Sequence, residues 1–586
     1  MQNFMSEKYL KTILFLLSLI YIVLLLGMIT IHYQEIASVP NMNIYDAMHH
    51  YNWKYWLEKS DNVQTTFSTF LQFIDLDYLH SRGIIPIITN IGFMSLLALL
   101  IIRIIQQLFS SVENQNQLIR NILIFSTVIT LFSLIQDSSI VWMFNQQLFA
   151  AYFFPLLSYF LLIKFSIMKD NRYFYLLLLS AMMSIIATPY ALSALVVLLF
   201  LGFLFKIAWF EKLLIFALLL LVCFLYYENI SNTVMVIHML NGEMITKLLL
   251  YILNYLGSIF VYVSFEPCCA TSSVIGGLFV IGTFIYFTYL VLSKKATESL
   301  YWVIWAFLFF YILTAFGSLE SINDNHVILF KNRYITPSMI AWLLIFILYI
   351  HHFSTGKIIQ RRVLTLFLTL ISVLFFYQIF AYQHFKKDTA TLKLAAMALK
   401  LGIDDPLAIE NITRSTYIMM YIPSKKPNEK MSIFTVNDIK TKVIQNRVAL
   451  LKEKNPINFT YMVAKNVLVN NKAVLSNSNR ILKGGVENLL LTDKTKKIYR
   501  VFGWVYNIKE QKVPNRLVVF DENSNLIGYV ITGISRKDVE IQYGKDALES
   551  GFSGYIRYLK TPIKLMMVDD KTGEVLEVKY SDFIKN

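Results

Sequence analysis

Acids and amides of this sequence gather in stretches that lie between apolar runs. Asp46 sits in "YDAMHHYNWKYW", beside Tyr45 and four residues before His50. A carboxylate there could act as a general base on a hydroxyl. A solvated face or a helix cap is the plainer role for the same residue. Asp75 and Asp77 flank a single leucine ahead of the second apolar run. On a helix they would point to different sides, so Asp75 is a second candidate base rather than a partner. His49 and His50 are adjacent and lack the i,i+4 spacing that turns two imidazoles onto one metal, so no metal ligands are expected.

Two further stretches carry binding groups. "QDSSIVWMFNQQ" places Asp137 before an apolar run that Gln146 opens. Carboxylates and amides beside an aromatic suit sugar hydroxyls, because an amide both donates and accepts; capping a helix end is the alternative. "FKNRYITPS" places Lys331, Arg333 and Tyr334 just before another apolar run. Arginine presents a planar fork that grips two phosphate oxygens. The free N–H groups of a helix start add to an anion's stability, and Pro337 fits a first turn. A pair of interfacial anchors is the plainer reading.

These residues need a membrane frame. The chain of 586 residues is 56% hydrophobic and only 16% charged, which excludes a soluble globular protein. The net charge of +15 therefore reflects juxtamembrane Lys and Arg rather than a nucleic-acid surface. Its 3 cysteines, two of them adjacent, form no disulfide or zinc framework. The first apolar run, "TILFLLSLIYIVLLLGMITI", is of spanning length and precedes no small-residue cleavage site, so a retained first helix is expected.

Apolar runs fall near 12–31, 84–107, 120–136, 148–167, 173–188, 190–208, 211–227, 274–293, 299–317, 336–352 and 362–381. The basic loops 164–172, 205–212, 293–299 and 355–362 should be cytoplasmic. That parity leaves 228–272 as an outer excursion with a re-entrant or interfacial helix. It gives a polytopic α-helical membrane protein of about eleven spans, with the N-terminus inside and the C-terminus outside. Loops 32–83, 228–272 and 318–335 are then external, so Lys331 and Arg333 lie on the face where basic residues are disfavoured. This weakens the anchor reading and favours an anion.

The membrane domain should cover 1–383. A helical periplasmic region is expected over 384–490, and a small β-sandwich over 491–586, where alternating segments are separated by turns such as "DENSN" and "DDKTG". Trp504, Tyr506 and Tyr555 either fill the sandwich core, the favoured reading, or stack on sugars. "GISRKDVE" reads as an ion-paired turn. No internal repeat supports an inverted-repeat transporter.

In order along the chain, the acidic first loop, "QDSSIVWMFNQQ", "ATPYALS", "YILNYLGS", "GSLESINDNHVILFKNRYITPSMIAW", "GWVYN" and "GISRKDV" resemble the GT-C class of polytopic glycosyltransferases. They are most similar to the predicted transferases of bacterial surface-polysaccharide (O-antigen) loci. Relatives tend to carry a Gly-Arg pair where this chain has "GSLESINDN", and the arginine is absent here. The resemblance implies a polyprenyl-phosphate sugar donor, a glycan or protein acceptor and an inner-membrane location. It gives Asp46 the catalytic base role, with Asp75 second, and Arg333 the lipid phosphate, with Tyr334 and Lys331 beside it. Asp137, Gln146 and His50 would contact sugar or acceptor. No cofactor is required, although a divalent metal is compatible with the class. A flippase for lipid-linked glycans would need mid-helix charges, which the runs nearly lack. A polysaccharide polymerase or ligase would use the same leaving group.

Overall fold

The computed structural model describes 7–32, 84–110, 115–133, 146–188, 190–225, 242–262, 271–293, 298–317, 335–353, 362–369 and 371–373, with positions 67, 70, 71, 74 and 394. In the C-terminal part it describes 482–493, 498–514, 516–520, 526–557, 563–569 and 575–580. The chain divides into two units, a helical one within 1–382 and one that contains 383–586.

The helical unit follows the apolar runs closely. Its helices are α1 (Glu7–His32), α2 (Ile84–Leu108), α3 (Gln115–Leu131), α4 (Gln146–Met168), α5 (Asn171–Ala187), α6 (Ala191–Leu204), α7 (Trp209–Leu225), α8 (Gly242–Leu256), α9 (Thr271–Leu292), α10 (Tyr301–Gly317) and α11 (Ile335–His352). Among the described residues, four stretches are long and apolar enough to cross a membrane: Ile87–Leu108, Phe149–Met168, Thr271–Leu292 and Ile335–His352. The chain is thus mostly helical, with four candidate membrane-spanning helices among the described residues and a small antiparallel sheet in its C-terminal part.

Sequence explains the local breaks. Asp170 caps α5 by accepting from the Arg172 backbone N–H at 2.9 Å, filling one of the orphan donors of a helix start. Pro189 follows the end of α5 at Ala187, where another residue of helix is disfavoured. Helix α11 is central: all sixteen residues from Ile335 to Ile350 except Tyr349 are buried.

Helix directions can be read from side-chain contacts. Phe93 of α2 packs on Phe153 and Phe154 of α4, with ring centroids 5.9 and 5.4 Å away. His351, at the end of α11, bridges the end of α2 and the start of α10. Its Nε2 donates to the Leu108 carbonyl at 2.8 Å, and its Nδ1 meets the Tyr301 hydroxyl at 2.7 Å. A carbonyl can only accept, so Nε2 carries the hydrogen. Helices α2 and α11 therefore end together where α10 starts, and the hydroxyl contacts Tyr152–Tyr255 and Tyr255–Thr314 put the start of α4 by the end of α10, so α4 runs with α2 and α11 and against α10.

Helix α8 falls within the excursion expected over 228–272. Rather than lying at a surface, its last turn is buried, with Tyr251, Ile252, Asn254, Tyr255 and Leu256 all enclosed. It packs antiparallel on α9, where glycine permits backbone contact: a Cβ on Gly277 would come 2.1 Å from the Leu253 carbonyl.

The C-terminal unit differs from expectation in one boundary and in the number of sheets. Strand β1 begins at Leu482, inside the region expected to be helical over 384–490; the helices expected before it lie outside the described residues, apart from position 394. In place of two facing sheets, one seven-stranded antiparallel sheet has the order β1-β2-β5-β4-β3-β6-β7. Its strands are β1 (Leu482–Asp493), β2 (Ile498–Asn507), β3 (Arg516–Phe520), β4 (Leu526–Ile534), β5 (Gly551–Arg557), β6 (Ile563–Asp569) and β7 (Val575–Tyr580). The edge strands β1 and β7 approach each other without a hydrogen-bonded ladder, so the sheet curls around its own core. Alternation along β2 sends Val501 and Val505 to that core and Trp504 and Tyr506 to the other face. There α12 (Lys537–Tyr543) covers them, with Tyr543 5.7 Å from Trp504 and 5.8 Å from Tyr506. Tyr506 and Tyr555 are both buried, but Tyr506 lies beneath α12 and neither ring belongs to the core that the sheet encloses, so the expected filling of a sandwich core is corrected.

"GISRKDVE" is indeed ion-paired and also starts α12. Arg536 makes a two-pronged bond to Glu487 of β1, 2.7 Å on each arm, and reaches Asp538 at 2.8 and 2.5 Å. Hydrogen bonds from Arg536 hold the Asp538 carboxyl down at about 2. A depressed carboxylate stabilises the fold above its unfolded value, near 4, and that contribution fades as pH falls towards 2. Hydrogen exchange of full-length protein should run faster over 537–550 in Arg536→Gln than in wild type at pH 7. The difference should shrink between pH 4 and 2. In the helical unit, Gly277→Val should cost about 1–3 kcal/mol by overpacking. Gly282→Val, where a Cβ meets nothing within 4 Å, should be near neutral in a thermal melt in detergent.

Candidate functional site

Asp46, His50, Asp75, Asp137, Lys331, Arg333 and Tyr334 lie outside the described residues, and Gln146 is described only as the first residue of α4. Their frame is described. Arg333 precedes α11 by two residues, and the first turn of α11 is clamped into the bundle.

The clamp exists because α8 stops inside an apolar interior. A helix end leaves its last carbonyls without intrahelical partners. In apolar surroundings each orphan would cost several kcal/mol, so irregular backbone persists there only where protein satisfies it. The Tyr311 hydroxyl of α10 donates to the Tyr255 carbonyl at 2.8 Å. The Ser338 hydroxyl of α11 donates to the Leu256 carbonyl at 3.3 Å, and its oxygen accepts the Ile259 N–H at 3.2 Å. Past α8 the chain makes a 3-10 turn, Ser258–Tyr262, before α9 starts at Thr271.

Side chains extend the network. The Tyr255 hydroxyl lies 3.3 Å from Thr314 Oγ1 and 3.4 Å from the Tyr152 hydroxyl of α4. Thr314 Oγ1 in turn donates to the Tyr311 carbonyl at 2.7 Å. The Ser273 hydroxyl of α9 donates to Asn254 Oδ1. Closest approach is set by Gly257, where a Cβ would come 1.9 Å from the Ser273 carbonyl. One layer of hydroxyls and amides thus joins α4, α8, α9, α10 and α11.

Just below the clamp lies an aromatic layer. Trp342 of α11 stacks on Phe279 of α9 at 5.1 Å and meets Phe260 of the 3-10 turn edge-on at 4.8 Å.

The hydroxyl layer marks one end of the bundle. It lies near the starts of α4, α9 and α11 and near the ends of α8 and α10. Every candidate residue belongs to a chain segment that joins the bundle at this end: before α2 and α4, or between α10 and α11. The sequence reading did not single out Tyr152, Asn254, Tyr255, Tyr311, Thr314 or Ser338. Asn254, the one amide in "LLLYILNYLGSIF", was the available signal. Among the described residues no three His, Cys, Asp or Glu side chains are grouped to hold a metal.

No protein-family model, curated protein or solved structure matches this chain.

Removing the donor that satisfies the Tyr255 carbonyl at the end of α8 should be costly. Tyr311→Phe leaves the Tyr255 carbonyl short of its 2.8 Å partner and is expected to lose about 1–3 kcal/mol. Tyr175→Phe, on an exposed ring, serves as control. Thermal melts of the two purified variants compare them.

Proposed function

We propose that this chain is a membrane glycosyltransferase of the GT-C type. It moves a sugar from a polyprenyl-phosphate donor to a glycan or protein acceptor outside a bacterial cytoplasmic membrane. About eleven spans carry the chain, with the N-terminus inside and the C-terminal sheet in the periplasm. Asp46 is the general base and Asp75 the second choice. Arg333 holds the phosphate, flanked by Tyr334 and Lys331. Asp137, Gln146 and His50 face sugar or acceptor.

The supporting observation is parity. The contacts of His351 and the Tyr152–Tyr255–Thr314 hydroxyls orient α2, α4 and α11 alike, so the described helix starts that follow the candidates in sequence lie at one end of the bundle. There α11, which Arg333 immediately precedes, is clamped by Ser338.

The chemistry balances with one base and one cation. The carboxylate takes the acceptor proton, the acceptor oxygen bonds to the anomeric carbon, and the bond from that carbon to the phosphate oxygen breaks. The phosphate leaves with the electron pair. Unlike the alkoxide leaving group of a glycosidase, it needs no protonating acid. It needs its growing charge stabilised.

A deletion strain should lack a sugar in its surface glycans or glycoproteins by mass spectrometry, and wild-type sequence should restore it. Asp46→Asn and Arg333→Ala should each restore about 100-fold less or worse. An unchanged glycan profile in the deletion strain rejects the transferase. Full rescue by Asp46→Asn rejects only that choice of base.

A further inference from the structure

We draw no further inference here: the strongest candidate, the partly exposed aromatic seam between α9 and α11 in which Phe279 stacks on Trp342 and Tyr286 on Tyr349, is an apolar face, and nothing in the structure shows what covers it.

Discussion

The helical unit depends on meeting the backbone valence of α8 where that helix stops among apolar side chains. Water is excluded there, so the Tyr255 and Leu256 carbonyls and the Ile259 N–H must find protein partners. Tyr311 and Ser338 supply them from two neighbouring helices. Their positions in turn fix how α10 and α11 meet. The close approach at Gly257 and Gly277 has the same origin, because α8 reaches those donors only by lying directly on α9. A helix end, usually a weak point, here becomes the joint of the bundle.

That joint has a bearing on the candidate chemistry. A phosphate-binding arginine is useful only if its backbone is held, and the residues that follow Arg333 enter a buried, hydrogen-bonded turn. Rigidity is thus placed next to the side chain that would meet charge. The carboxylate candidates belong to the long segment between α1 and α2.

The helices were legible because composition settles them: long apolar runs of Leu, Ile and Phe satisfy their own backbone, and their described ends fall within a few residues of the expected limits. The interior network was harder to see. Ser338 looks like any first-turn serine, and Tyr311 like any aromatic in an apolar run; only the three-dimensional position of the α8 terminus gives them work. For 228–272, loop charge suggested an excursion with a re-entrant or interfacial helix, and only packing shows that the last turn of α8 is enclosed. In the tail, alternation located the strands, while the count of sheets depended on long-range pairing, β2 with β5 and β3 with β6, which no local pattern encodes. For the candidate site itself, the sequence offers residue chemistry and order along the chain, and no distances.

His351 has a mechanical consequence. Its ring ties α11 to the carbonyl of α2 and the hydroxyl of α10 at one end of the bundle. Ser338 lies thirteen residues away along the same helix, about 20 Å by helical rise. If α11 tilts without breaking the imidazole bonds, His351 is the fulcrum and Ser338 the far end of the lever. A rotation of only a few degrees there would shift the start of α11 by about 1–2 Å, the scale on which a phosphate contact is made or lost.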